Sequence, residues 1–183
     1  MKRLSLCLLC LALLLTGCGS HRAAEQQAQF AEDLSTRRDL SFTADLRAEY
    51  ADKTVEFRLL YEENEDSCTL RVLEPEEIAG VSLRLGPDGA QLSLDDISLD
   101  TGPLDRYGLS PVTALPALTQ ALRAGHLESS REEGDEIVWE LAADDNLTVQ
   151  VWLNDELVPQ RAELISEGRV HVYCTLSDWA IRQ

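Results

Sequence analysis

Aromatic side chains are scarce in this chain. Three Trp, four Tyr and three Phe among 183 residues leave little with which to line a roomy lipid cavity. Basic residues are scarce too: 16 Lys and Arg stand against 33 Asp and Glu, a formal net charge of −17. Proteins that read nucleic acid carry clustered Lys and Arg, so nucleic acid is not expected as a partner. No G-x-S-x-G elbow marks a nucleophile, no glycine-rich loop cradles a phosphate, and no CxxC pair marks a redox or zinc site. His21, His126 and His171 lie far apart, which supports neither a triad nor a metal cluster. The carboxylate runs at Glu62–Asp66 and Ala143–Asn146 sit at predicted hairpin tips, where charge also keeps strand edges from pairing. Nothing here points to catalysis, a metal or a diffusible cofactor.

Long hydrophobic runs are also missing, with one exception. Leu4 to Leu15 is apolar but for Ser5 and follows Lys2 and Arg3. Twelve residues are too few to cross a hydrocarbon core, which needs about 20, but they suit the apolar region of a secretion signal. The run stops at Leu15-Thr16-Gly17-Cys18, which resembles the lipobox of bacterial lipoprotein precursors. That resemblance implies cleavage after Gly17 and a diacylglycerol on the Cys18 thiol. Two acyl chains hold a protein on a membrane stably where one does not. Residues 1–17 are thus expected to be a cleaved signal, 18–24 a lipidated N-terminus and linker, and 25–183 one domain. The location expected is the outer face of the cell membrane, or the outer membrane in a host with two. Loss of Lys2 and Arg3 leaves the mature chain still more acidic. Cys7 and Cys10 depart with the signal, leaving Cys68 and Cys174 either as a disulfide, which an extracytoplasmic address permits, or as small buried hydrophobes.

The mature chain begins with a thin helical stripe, Ala23, Gln27, Phe30, Ala31 and Leu34. After Leu40 the period drops from 3.6 to 2. Phe42, Ala44, Leu46, Ala48 and Tyr50 alternate with Thr43, Asp45, Arg47 and Glu49, and Val55, Phe57, Leu59 and Tyr61 repeat the pattern. Cys68–Val72, Val81–Leu85 and Leu92–Leu94, the last in a strand that ends near Leu99, follow, and Gly86-Pro87-Asp88-Gly89, a hairpin signal, joins the last two. A helix interrupts at Ser110–Gly125, with Ser110 as cap, Pro111 in the first turn and Leu115, Leu118 and Leu122 on one face. Pro116 either kinks it or marks its start. Alternation resumes at Ile137–Leu141, Leu147–Leu153, Ala162–Leu164 and Val170–Leu176. Strands with one apolar and one polar face belong to antiparallel sheet that is wet on one side. The fold expected is α+β: one large curved antiparallel sheet, an unclosed β-barrel, with helices covering its concave face.

The stretch Cys68–Leu99, with its Glu74-Pro75, its Ile78-Ala79-Gly80-Val81 and its Asp88-Gly89 hairpin, and the helix Ser110–Leu122 together resemble LolA/LolB-type lipoproteins. The likeness is greatest to the LolA-like lipoproteins of spore formers, of the spore-germination GerS type. It implies a helix-covered apolar cavity and no enzyme activity. Two features separate this chain from lipoprotein carriers. A soluble shuttle lacks an acylated cysteine, and the turns here, such as "ENED", "GPDG" and "EEGD", are polar where an anchored carrier has a protruding apolar loop. Phe42, Leu46, Tyr50, Phe57, Leu59, Tyr61, Leu118, Leu122 and Trp139 are the candidate cavity residues, with core packing as the other reading. Two functions follow: a tethered module that binds a cell-envelope protein, in the spore cortex or germination for instance, or a carrier of acyl chains.

Overall fold

The computed structural model describes residues 18–37, 39–50, 53–102 and 110–182. The apolar run before Cys18 lies outside them, as do Ala51 and Asp52 of the first hairpin. The first described helix, α1 (Cys18–Thr36), already occupies the stretch expected to be linker. The reason is local: after Gly19, Ala, Glu, Gln and Arg predominate, residues with high helix propensity. Its stripe lands as read, with Leu34 and Ala23 buried and the Gln27 amide donating to the Gly125 carbonyl at 3.4 Å. The second helix, α2 (Pro111–Ala124), starts at Pro111 and runs through Pro116. Ser110 caps it in a reciprocal pair, its Oγ accepting from the Thr113 N–H while Thr113 Oγ1 accepts from the Ser110 N–H. At the exit, Gly125 donates its N–H to the Ala121 carbonyl, and a Cβ there would lie 2.5 Å from that oxygen. Only glycine fits.

Among the described residues, eleven strands form one antiparallel sheet: β1 (Asp39–Glu49), β2 (Thr54–Glu63), β3 (Cys68–Glu74), β4 (Ser82–Gly86), β5 (Gly89–Leu94), β6 (Ile97–Gly102), β7 (His126–Glu133), β8 (Glu136–Asp144), β9 (Leu147–Leu153), β10 (Pro159–Ser166) and β11 (Arg169–Arg182). Their order in space is β6-β5-β4-β3-β2-β1-β11-β10-β9-β8-β7. The sheet is curved and unclosed, with β6 and β7 as its edges, and both helices lie on the concave face. α2 packs on β8, β1 and β10, and α1 packs on α2 and β7. The α+β fold class expected from the period is therefore the one observed. The Gly86–Gly89 hairpin is also present, with a two-residue Pro87-Asp88 loop.

Three local departures matter. The strand expected to end near Leu99 is two strands, β5 and β6, because Asp95 takes a left-handed φ of 50° and turns the chain at Asp95-Asp96. β7 is a strand with almost no buried side chain. In β11 the register against β1 jumps between Ser177 and Ala180, where Asp178 has a φ of 55°. That bulge reverses the alternation, so Trp179 turns to the inner side.

Candidate functional site

The concave face under the helices is where the sequence puts a cavity. Most of the candidate residues do converge there. Phe42, Leu46, Leu59, Tyr61, Leu118, Leu122 and Trp139 are all buried in one cluster, together with Ala114, Leu115 and Ala121. Phe57 is half-buried at its margin. Tyr50 is not part of it: β1 ends at Glu49, and Tyr50 is 40% exposed beside Lys53. Alternation places a residue on a face only while the strand lasts.

The cluster is filled by the chain's own side chains. Phe42 stacks between Tyr61, at 4.8 Å between ring centroids, and Trp179, at 4.9 Å. Phe30 of α1 meets the Trp139 ring edge-on at 5.6 Å. Leu115, Leu118 and Leu122 have no accessible surface. Interiors packed this way are as dense as organic crystals, and an acyl chain would have to displace a helix to enter.

One polar cluster sits within the apolar bed, and sequence reasoning did not find it. The Tyr61 hydroxyl donates to Glu63 Oε2 at 3.0 Å and lies 3.1 Å from Thr119 Oγ1. Thr119 donates to the Pro116 carbonyl at 3.1 Å. Arg123 closes the group by pairing with Glu63, both side chains largely buried. α2 is thereby pinned to β2. Burial, with Cys68 and Glu63 alongside, pushes the Tyr61 hydroxyl far above the ordinary tyrosine range. The only sequence signal was weak: Thr119 and Arg123 follow Leu115 at helical spacing, but polar residues on a greasy stripe read as its border.

Cys68 and Cys174 are both free thiols, so the disulfide alternative is not realised. Register explains it. Cys68 lies level with Glu63, Leu40 and Ile181, whereas Cys174 lies level with Leu46, seven residues back along β11. At about 3.3 Å per residue that offset alone exceeds 20 Å, against a Cα separation of roughly 5.5 Å in a disulfide. Burial raises both thiols, Cys174 to about 12.

Grooves lie outside the bed. One of about 500 Å³ runs beside α1, lined in part by Phe30, Leu157, Val158, Trp179 and Ile181. More notable is the β3–β6 wing, beyond the helices. Leu70, Leu83, Leu92 and Leu99 form one straight cross-strand row. Their exposure climbs outward: 4%, 7%, 38% and 60%. Leu94 and Ile97 form a second pair, with Ile97 at 74%. The inner surface of the sheet thus continues past the helices as bare aliphatic face, ending on edge strand β6.

No helix among the described residues is long and apolar enough to cross a membrane. No family model matches the sequence, and no curated protein matches it either. Solved structures do match in shape. An uncharacterized conserved protein from Thermus thermophilus aligns over 88% of each chain at 10% identity with a TM-score of 0.52. A DUF1329 family protein from Desulfovibrio piger aligns over 87% of this chain and 92% of its own at 9% identity, with a TM-score of 0.51. A LolA superfamily protein from Nitrosomonas europaea aligns over 87% and 94% at 14% identity, with a TM-score of 0.47. What this chain shares with the first two is the fold.

Proposed function

We propose that the protein is a lipid-anchored, extracytoplasmic binding module, non-catalytic, which holds a partner protein of the cell envelope at the membrane. Wall or spore-cortex enzymes, such as those of germination, are the class of partner that the LolA-like resemblance suggests. The observation that carries the reading is the contrast between a concave bed filled by α2 and a bare aliphatic wing on β4–β6. A carrier needs the opposite distribution, an empty interior and a polar outside. The diacylated Cys18 supplies the tether, and the acidic surface keeps the domain clear of anionic polymers and headgroups.

Two measurements test it. Cys18→Ser should abolish lipoprotein processing and release the chain from the membrane fraction; a variant cut at the same bond and still sedimenting with membranes refutes the anchor. Affinity capture from detergent-solubilised envelopes should recover a stoichiometric protein partner, and recovery of none refutes the module.

The groove beside α1, with Phe30, Trp179 and Ile181, favours a second reading, in which acyl chains bind after α1 moves aside. That reading requires a fluorescent fatty acid to be taken up at micromolar concentration. On the first reading it is not.

A further inference from the structure

The two edges of the sheet are built differently. β7 reads His-Leu-Glu-Ser-Ser-Arg-Glu-Glu, exposed almost throughout. Two of its charges are engaged with neighbouring side chains, since Arg131 and Arg161 both reach Glu133, and Ser129 donates to Glu140 at 2.8 Å. Charged edge strands of this kind deter pairing with another chain. β6 reads Ile-Ser-Leu-Asp-Thr-Gly, with Ile97 and Leu99 as the most exposed large aliphatic side chains among the described residues. Behind them Leu92 and Leu94 extend the same apolar surface. Among the described residues, one edge is guarded and the other is left open for a strand.

Charge selects what kind of strand. Residues 65–102 carry nine Asp and Glu against two Arg. Five of the carboxylates border the wing in its turns: Glu76 and Glu77 in a 3-10 turn, Asp88 between β4 and β5, and Asp95 and Asp96 between β5 and β6. All five are exposed. A second copy of this chain would set acidic rim against acidic rim. An anionic membrane surface meets the same repulsion. A cationic segment meets complementary potential, which steers association and fixes register.

We infer, building on the binding-module reading, that β6 is the docking edge for an extended, lysine- or arginine-rich segment of the partner protein. The segment adds to the sheet beside β6, its backbone hydrogen-bonding to the open edge. Its apolar side chains continue the Leu92–Leu99 row, and its cations lie toward Asp95, Asp96 and Asp100.

The test uses the full lipidated chain in phosphatidylcholine nanodiscs and two synthetic octapeptides, one alternating valine with lysine and one valine with glutamate. The lysine peptide should slow backbone hydrogen exchange across Ile97–Gly102 at least tenfold. The effect should vanish in the Ile97→Lys/Leu99→Lys variant and weaken at least tenfold in peptide affinity for Asp95→Lys/Asp96→Lys. Because all four side chains are exposed, unchanged melting temperatures certify the folds. Equal protection by the glutamate peptide, protection centred on another strand, no protection at millimolar peptide, or β6 protection that rises with protein concentration without peptide would each overturn the proposal. Envelope capture separates the two levels. A partner that Ile97→Lys/Leu99→Lys still retains overturns the placement and leaves the module standing. A wild-type chain that retains nothing removes both.

Discussion

Shortening Leu118 to alanine distinguishes a packed bed from a ligand cavity. Leu118 sits on the buried face of α2, within the core cluster, with no accessible surface. Removing three carbons from such a site forfeits their burial and leaves a hole that the rigid sheet on one side and the Arg123–Glu63 pair on the other keep from collapsing. Leucine-to-alanine changes in that setting cost about 2–5 kcal/mol, and about 3 kcal/mol is expected here. In a domain of this size that is a fall in melting temperature of roughly 6–12 °C. A residue lining an empty cavity behaves otherwise, because its truncation enlarges a space already present and loses few contacts. The assay is urea unfolding of the chain without lipid ligand, with Leu99→Ala as internal reference. Leu99 is 60% exposed, so its truncation should cost under about 0.5 kcal/mol. A Leu118→Ala penalty below about 1 kcal/mol, with an unchanged dependence on urea, would refute the packed interior and revive the lipid carrier.

Four further outcomes follow from the same contacts. Tyr61→Phe leaves Glu63 and Thr119 without the buried hydroxyl and should cost about 1–3 kcal/mol; no loss in urea unfolding would mean that water replaces it. Gly125→Ala forces a methyl against the Ala121 carbonyl and should cost about 1–3 kcal/mol by the same assay. With both thiols free, unfolded mature protein, with no reductant present, should take up two maleimides by mass spectrometry; none would establish a disulfide. Alkaline pH should destabilise the fold. Cys174 is raised from 9.0 to about 12 by burial, so the unfolded chain releases this proton first. Its contribution is fully present below pH 9 and is lost between about pH 9 and 12. Cys174→Ala should flatten that slope in pH-dependent unfolding, and an unchanged slope would assign it to Tyr61 or Cys68.

Legibility divides along a physical line. Period 2 in Phe42–Ala48 and Leu59–Tyr61 named the inner face correctly, because burial on one side of a sheet forces alternation. Ser110, Pro111 and Gly125 bounded α2 correctly because helix ends impose chemistry that few residues satisfy. β7 went unseen for the opposite reason: an edge strand that buries nothing has no pattern to read. The turn at Asp95-Asp96 and the bulge at Asp178 depend on left-handed backbone at aspartate, which a sequence of alternating residues does not announce. So Trp179 reaches Phe42 from the wrong parity. The Tyr61–Thr119–Glu63–Arg123 group was hidden because its cross-element pairs, Tyr61 with Thr119 and Glu63 with Arg123, join residues 58 and 60 positions apart, and each member alone passes for surface.

Volume was the other illegible quantity, and it decides between the two functions. Parity says which side chains face inward; it says nothing about whether what lies between them is space. Tyr50 aside, the same eight residues describe a cavity or a core, depending on how closely α2 approaches the sheet. Here Thr119 and Arg123 fix that approach, since Tyr61 and Glu63 hold them at hydrogen-bond distance from β2. The pin draws Leu115, Leu118 and Leu122 down into the bed. It follows that Arg123→Ala should act on function as well as on stability. With Glu63 deprived of its ion partner at the foot of α2 the helix should lift, and the lipid binding that a packed bed should deny the wild type should appear. A fluorescent fatty acid that ignores the wild type but binds Arg123→Ala would show that one ion pair separates a binding module from a carrier on this fold. If neither protein takes it up while Arg123→Ala is destabilised by several kcal/mol, the pin holds the core together without governing access. If both do, the interior was never closed.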